Sequence, residues 1–306
     1  MTVAHVSDLH PTGILRPSLG WLSGKRPLGL LSLWLRRNRR HPFERLERVF
    51  EDLRRDPPDH LLVGGDLVNL AMPEEFAASR ELLARTGLPA ERISVVPGNH
   101  DRYTHGAYEA RWFETYFSAF ATSVAPFPDD LFPYLQVRPG LAVLGICSGW
   151  PASPIQARGT IGEKQLRRIE VLLGHPAARG PLVALVHHPP LPYPNPVEQW
   201  LNGLHDFREL LALFGGTGAT LVHGHRHVAL HAIVETPHGA VRVIGVASAS
   251  DAGGGRRPER TRGYQRYRFG PDGFEEGERR IWSPDRGAFD VAPLPAPDRV
   301  RLEDLR

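Results

Sequence analysis

Short apolar runs alternate with segments of helical periodicity from residue 3 to residue 225. Apolar runs of about four to six residues between longer amphipathic patterns favour strands that are buried in a sheet. The predicted strands read VAHVS, HLLVGGD, ISVVPGN, LAVLGIC, LVALVHH and ATLVHGH, and the predicted helices read PFERLERVFEDLRRD, PEEFAASRELLARTG, IGEKQLRRIEVLLG and DFRELLALFGG. This alternation predicts an α/β fold.

The last quarter of the chain has a different pattern. The segments AVRVIGVASAS and GYQRYRFGPDGFEEGERRIW read as strands, with GPDG as the turn of a hairpin, which predicts a second sheet. Residues 283–306 are rich in proline and polar residues, and we expect a loose surface tail there. The prediction is therefore one domain over residues 1–282, followed by this C-terminal tail.

Composition is typical of a globular protein. The chain has 306 residues, of which 41% are hydrophobic, and contains no apolar run of the length that spans a bilayer. The start, MTVAHVSDLH, lacks the pattern of a signal peptide, so the predicted location is the cytoplasm. Cys147 ends an apolar run and is predicted to be a buried structural thiol.

The predicted insertion at about 11–42 is basic and amphipathic. Between residues 11 and 43 there are seven basic and no acidic residues, although the whole chain carries only +3. Leu28, Leu31, Trp34 and Leu35 can share one helical face beside four arginines, a pattern typical of elements that lie on a membrane surface. An ordinary helix packed on the core explains the same pattern. Residues 14–40 are thus a candidate contact with an anionic membrane at its inner face.

Polar residues with metal-binding side chains follow five of the predicted strands. In α/β proteins the sites lie at the carboxyl ends of strands. Each such residue alone is usually a cap or a surface residue, but the whole set predicts a metal site. The residues are Asp8, His10, Asp66, Asn99, His100, Asp101, His187, His188, His223, His225 and His227.

The ordered segments SDLH, GGD, GNHD, HHPP and HGHRH resemble the motifs of the calcineurin-like metallophosphoesterases. The resemblance implies a two-sheet αββα sandwich with the metal site at the carboxyl ends of strands. It also implies two metal ions that share Asp66. One ion would be held by Asp8, His10 and His227, and the other by Asn99, His187 and His225. His188 is followed directly by Pro189, and the resemblance therefore selects His187 as the ligand.

The residue types are consistent with this chemistry. Oxygen and nitrogen ligands without a thiolate suit Mn, Fe, Zn or Co, with Mn favoured. His100 is predicted to donate a proton to the leaving group, and Asp101 to orient His100. His223 is left over and is interpreted as a hydrogen-bonding residue.

The predicted function is dinuclear-metal hydrolysis of phosphodiester or pyrophosphate bonds. Because the basic insertion starts directly after His10, we expect it near the metals, which favours a lipid-linked substrate. This is similar in kind to the UDP-2,3-diacylglucosamine hydrolases, whose better-known members carry Arg where this chain has His100. The alternatives are a soluble phosphodiesterase for cyclic nucleotides or glycerophosphodiesters and a non-enzymatic metal-binding scaffold. A nucleic-acid partner is not expected, because the basic cluster is interleaved with leucines.

Overall fold

A computed structural model describes residues 1–12, 43–102, 104–153, 155–251 and 263–305. The helices are α1 (Phe43–Arg55), α2 (Pro73–Ala84), α3 (His105–Glu109), α4 (Trp112–Phe117), α5 (Glu163–Leu173), α6 (Pro196–Asn202) and α7 (Phe207–Phe214). The strands are β1 (Thr2–Val6), β2 (His60–Val63), β3 (Ile93–Val95), β4 (Tyr134–Arg138), β5 (Leu141–Gly145), β6 (Leu182–Leu185), β7 (Thr220–His223), β8 (Leu230–Thr236), β9 (Gly239–Gly245), β10 (Gly263–Gly270), β11 (Gly273–Ser283), β12 (Ala288–Pro293) and β13 (Asp298–Arg301).

The strands form two sheets. The order is β12-β11-β10-β1-β2-β3 in the six-stranded sheet and β13-β8-β9-β7-β6-β5-β4 in the seven-stranded sheet. Strands β1, β2 and β3 are parallel neighbours, and so are β5, β6 and β7. Their carboxyl ends therefore meet at common edges, where the loops that carry the predicted site begin.

Alternate residues of the second sheet enter different cores. Val143 and Val183 pack into the core shared with the first sheet, whereas Leu144 and Ala184 pack into the core formed with α5 and α7. Helix α1 buries one face against the first sheet, whose residues on both faces belong to the first of these cores. Since side chains alternate across a strand, this pattern places helices outside two stacked sheets. The predicted αββα sandwich is confirmed.

The expected loose tail is wrong for most of residues 283–306. Strand β12 pairs with β11, and β13 pairs in parallel with β8 at the edge of the second sheet. Phe289 and Val300 pack against the two cores. Edge strands offer unpaired backbone groups, and these segments satisfy them. The prolines that suggested a loose tail lie in the turn after β11, at the end of β12 and in the short segment between β12 and β13.

The predicted membrane contact, residues 14–40, lies outside the described residues and stays a prediction. Among the described residues, no helix combines the length and apolar character needed to cross a bilayer.

Candidate metal centre

The loops that follow β1, β2, β3, β6 and β7 converge at one edge of the sandwich. Backbone hydrogen bonds join the first two loops, because the Asp8 amide donates to the Gly65 carbonyl (3.0 Å) and the His10 amide to the Asp66 carbonyl (3.1 Å). The Gly224 amide likewise donates to the His187 carbonyl (3.1 Å). Backbone hydrogen bonds therefore fix the loop after β1 to the loop after β2, and the loop after β6 to the loop after β7.

Five of the seven predicted ligands have a backbone in the left-handed region. The φ angles are 55° for Asp8, 38° for His10, 54° for Asp66, 65° for His225 and 54° for His227. Non-glycine residues in this region cost about 1–3 kcal/mol each and persist where the surroundings impose them, most often at functional sites. The concentration of strain in these loops marks the centre independently of residue type.

One carboxylate oxygen of Asp66 lies between histidines from two loops. Asp66 Oδ2 is 3.3 Å from His10 Nε2 and 3.6 Å from His187 Nε2. The His187 ring is oriented from behind, since its Nδ1 donates to the Gly64 carbonyl at 2.7 Å. The lone pair of His187 Nε2 therefore points into the centre, as expected for a metal-binding imidazole.

A second group of donor atoms lies on the other side of His187. Asn99 Oδ1 is 3.2 Å from His187 Nε2 and 3.1 Å from His225 Nδ1, and the two nitrogens are 3.2 Å apart. In the neutral form that binds metal, His187 Nε2 carries a lone pair, and Asn99 Oδ1 is an acceptor, so at most one proton is then available to the three atoms. A cation satisfies all of them at once.

Asp8 and His227 form the remaining part of the centre. Asp8 Oδ1 is buried and forms an ion pair with His227 Nε2 at 3.1 Å. A buried carboxylate needs a cationic partner, which either a protonated His227 or a metal ion supplies. Together with the oxygen and nitrogen donors described above, this fits two divalent ions. Ligand atoms within 4.8 Å of one another form the groups Asp8–His10–His227, His10–Asp66–His100, Asp8–Asp66–His187 and His187–His188–His225.

Charge at the centre keeps the carboxylates ionised. Burial acts to raise the pKa of Asp66, but the positive charge that the nearby histidines carry when protonated, that of His187 foremost, outweighs burial and holds the pKa well below its usual range. Burial, reinforced by His187, lowers the pKa of His225 to about 3. Burial also acts to lower the pKa of His227, but Asp8 and Asp251 raise it to about 9. A metal ion at His227 would therefore displace a proton.

His100 lies at the edge of the centre with a defined tautomer. Its backbone amide donates to Asp66 Oδ1 at 2.8 Å, and its Nδ1 donates to the Asn69 carbonyl at 2.7 Å. The His100 and His10 rings meet edge to face, with their centroids 4.9 Å apart. Because Nδ1–H is fixed by a carbonyl, Nε2 is the nitrogen at which His100 gains or loses a proton.

Asp101 does not have the predicted role of orienting His100. Its Oδ1 accepts from the amides of Leu67 and Val68 (2.8 and 3.1 Å), and its Oδ2 accepts from the Gly98 amide at 2.8 Å. The short loop after Gly98 turns the carboxylate towards these backbone groups. Asp101 therefore fixes the two loops that carry Asp66 and Asn99, and the Asn69 carbonyl orients His100.

The two other histidines of the motifs have bonds that set them apart. His188 Nε2 donates to the Ala157 carbonyl at 2.9 Å, and its Nδ1 lies 2.8 Å from Ser148 Oγ. Both ring nitrogens of His188 thus have hydrogen-bond partners outside the centre, whereas His187 Nε2 faces the other candidate ligand atoms. His223 is fully buried and donates from Nδ1 to the Gly224 carbonyl at 2.9 Å.

Sequence reasoning missed the residues that hold the centre from outside. The Asp251 carboxylate lies 3.7 Å from His227 Nδ1, and Ser248 Oγ donates to the Asp8 carbonyl at 2.8 Å. Glu75 accepts from the amides of Asn69, Leu70 and Met72 and so holds the loop that orients His100. No motif marks these residues; only the Glu at the third position of α2 is a recognisable capping signal.

Comparison with known proteins gives a family match. A model of the family described as calcineurin-like phosphoesterase matches residues 1–229. A glycerophosphodiester phosphodiesterase of Enterobacter lignolyticus is 28% identical over 141 residues, which cover 46% of this chain and 45% of that protein. This match therefore spans less than half of the relative's length.

Solved structures share the fold. A dimetal phosphatase from Danio rerio superposes with a TM-score of 0.60 at 12% identity, over 96% of this chain and 98% of that one. A purple acid phosphatase from yellow lupin seeds gives 0.56 at 11% identity, over 97% and 53%. At these identities the likeness concerns the fold.

Proposed function

This chain belongs to the calcineurin-like phosphoesterase family, and we propose that it hydrolyses small-molecule phosphodiesters with two divalent metal ions. The predicted family is thereby confirmed, and membership supports the predicted phosphoester hydrolase. The observation that carries the proposal is the convergence of buried carboxylate, amide and imidazole ligand atoms around Asp66.

The proposed ligand sets follow from the contacts. Asp8, His10 and His227 would hold one ion, and Asn99, His187 and His225 the other. Asp66 is proposed to be shared, because its Oδ2 faces both His10 and His187. When bound, such ions polarise phosphoryl oxygens and acidify water. The native metal stays a prediction, with manganese favoured among Mn, Fe, Zn and Co.

His100 is proposed to be the general acid. Its Nδ1–H is held by the Asn69 carbonyl, so a proton at Nε2 can be donated to the oxygen of the departing alcohol. The Asp66 carboxylate accepts a hydrogen bond from the His100 backbone amide. This bond fixes the His100 backbone relative to the proposed metal ligands. These contacts let His100 move a proton without moving its ring.

Glycerophosphodiesters are the first substrates to test, since a relative carries that activity in its name. The lipid-linked substrate and the peripheral membrane location remain predictions, because they depend on residues 14–40. Hydrolysis of pyrophosphate bonds also remains a prediction.

The decisive experiment measures hydrolysis of bis(p-nitrophenyl) phosphate and glycerophosphocholine by manganese-loaded protein, with bound metal counted by elemental analysis. We expect turnover that is lost in Asp66→Ala and with a chelator, and retained in Asp129→Ala, which removes a surface carboxylate paired with Lys164. Two bound ions without turnover of either diester would favour the scaffold alternative instead.

A further inference from the structure

The segment after β5 places an aromatic residue beside the metal centre. Ser148 Oγ lies 2.8 Å from His188 Nδ1, and the His188 ring is 4.5 Å from that of His225. The Gly149 backbone abuts the Gly98 carbonyl so closely that an added Cβ would lie 2.5 Å from its oxygen. Trp150 is the next residue, so its backbone continues directly from the segment that packs against the loop before Asn99.

Trp150 is held in place by two contacts. Its Nε1 donates to the Thr160 carbonyl at 2.7 Å, and its ring lies 5.5 Å from the ring of Tyr108. Tyr108 is in turn covered by the guanidinium of Arg102, which is buried and paired with Glu114. A side chain fixed in this way loses little conformational entropy when it binds a ligand.

The exposed part of Trp150 is apolar. The residue is 37% exposed, and its one polar group, the indole N–H, is already bonded to Thr160. A ligand can therefore contact only the ring surface, through stacking or apolar contact.

We propose that Trp150 selects phosphodiesters whose organic group carries a planar aromatic ring, such as a nucleobase. This inference rests on the proposed function, because the metal centre anchors the phosphate while Trp150 contacts the organic group. Base stacking on aromatic side chains is worth about 1–3 kcal/mol per base. That range corresponds to about a 5- to 150-fold change in affinity.

The test compares two monoesters that share a phosphate and differ in the organic group. Binding of thymidine 5′-monophosphate and glycerol 3-phosphate to metal-loaded protein is measured by calorimetry, with metal content checked in each variant. We expect Trp150→Ala to weaken the thymidine ligand by about 5- to 150-fold and to leave glycerol 3-phosphate unchanged. Trp150→Phe should retain most of the affinity. Trp200→Ala, which removes another exposed tryptophan, should alter neither ligand.

Equal weakening of both ligands, or of neither, would overturn the role of Trp150. The same titrations are made with phosphocholine, and a Trp150→Ala variant that loses phosphocholine binding but keeps thymidine 5′-monophosphate binding would also overturn the role and assign the residue to a cationic headgroup. Calorimetry requires no turnover, so a wild-type protein that binds metals and nucleotide but hydrolyses no diester would refute the proposed function alone.

Discussion

Replacing Gly98 by alanine would place a methyl group where the Asp66 side chain lies. A Cβ at residue 98 would be 2.2 Å from Asp66 Oδ1 and 2.5 Å from the Asp66 amide nitrogen. Gly98 is not among the residues with positive φ, so alanine acts there through space and not through backbone strain. Carbon and oxygen atoms at van der Waals contact are well over 3 Å apart, and the Asp66 side chain or its loop must shift by roughly 1 Å.

The shift should cost both stability and activity. Overpacking of this kind costs about 1–3 kcal/mol of unfolding free energy. Displacement of Asp66 also separates its Oδ2 from His10 and His187, which lie at 3.3 and 3.6 Å. Because a misplacement of about 1 Å can lower a rate about 100-fold, we expect a loss of kcat of that order together with weaker metal binding.

The assay combines kcat for bis(p-nitrophenyl) phosphate, metal content after dialysis and urea unfolding. Gly106→Ala is the matched control, because a Cβ at residue 106 meets no atom within 4 Å and alanine favours helix α3. If Gly98→Ala kept two ions and a kcat within threefold of wild type, the placement of Asp66 at the shared position would be refuted.

Three further outcomes are expected. Replacing His100 by alanine should lower kcat by about 10²–10⁴-fold for diesters with poor leaving groups and much less for nitrophenyl esters, with metal content retained; equal losses measured across a leaving-group series would exclude the acid role. Burial, aided by Arg138 and Arg92, lowers the pKa of His60 to about 3, so the unfolded state binds more protons between pH 6.5 and 3. As the pH falls through that window, the free energy of unfolding should decrease by up to about 1.4 kcal/mol per pH unit. The difference in unfolding free energy between the wild type and His60→Asn, measured by urea unfolding, should therefore narrow as the pH falls; a constant difference would contradict this. Gly145→Ala should destabilise the protein by about 1–3 kcal/mol, since its Cβ would lie 2.0 Å from the Tyr134 ring; an unchanged midpoint of thermal unfolding would show that the ring can move away.

The alternation of apolar runs and amphipathic segments was enough to predict the α/β class, because strand and helix periodicities are local properties of the sequence. The order and spacing of the motifs also identified the donor residues that the structure brings together. Parallel strands must end at one edge, so residues that follow successive strands converge there whatever the connecting segments contain.

The closing strands required the tertiary structure. β10 pairs with β1, which lies at the other end of the chain. β13 pairs with β8, and nothing in the sequence of β13 indicates this partner. The role of Asp101 also required the tertiary structure. Its place in the sequence suggested a partner of His100, but its carboxylate accepts hydrogen bonds from three backbone amides.

The sequence by itself determined the strands that deliver the donor residues, since strand patterns and the residues that follow them depend on neighbours along the chain. Only the tertiary structure decided that the Asn69 carbonyl orients His100, that Ser248 and Asp251 support the ligands, and that Gly149 packs against Gly98. These contacts join segments separated by tens to hundreds of residues. Their geometry depends on how the two sheets pack, and local patterns carry no record of that packing.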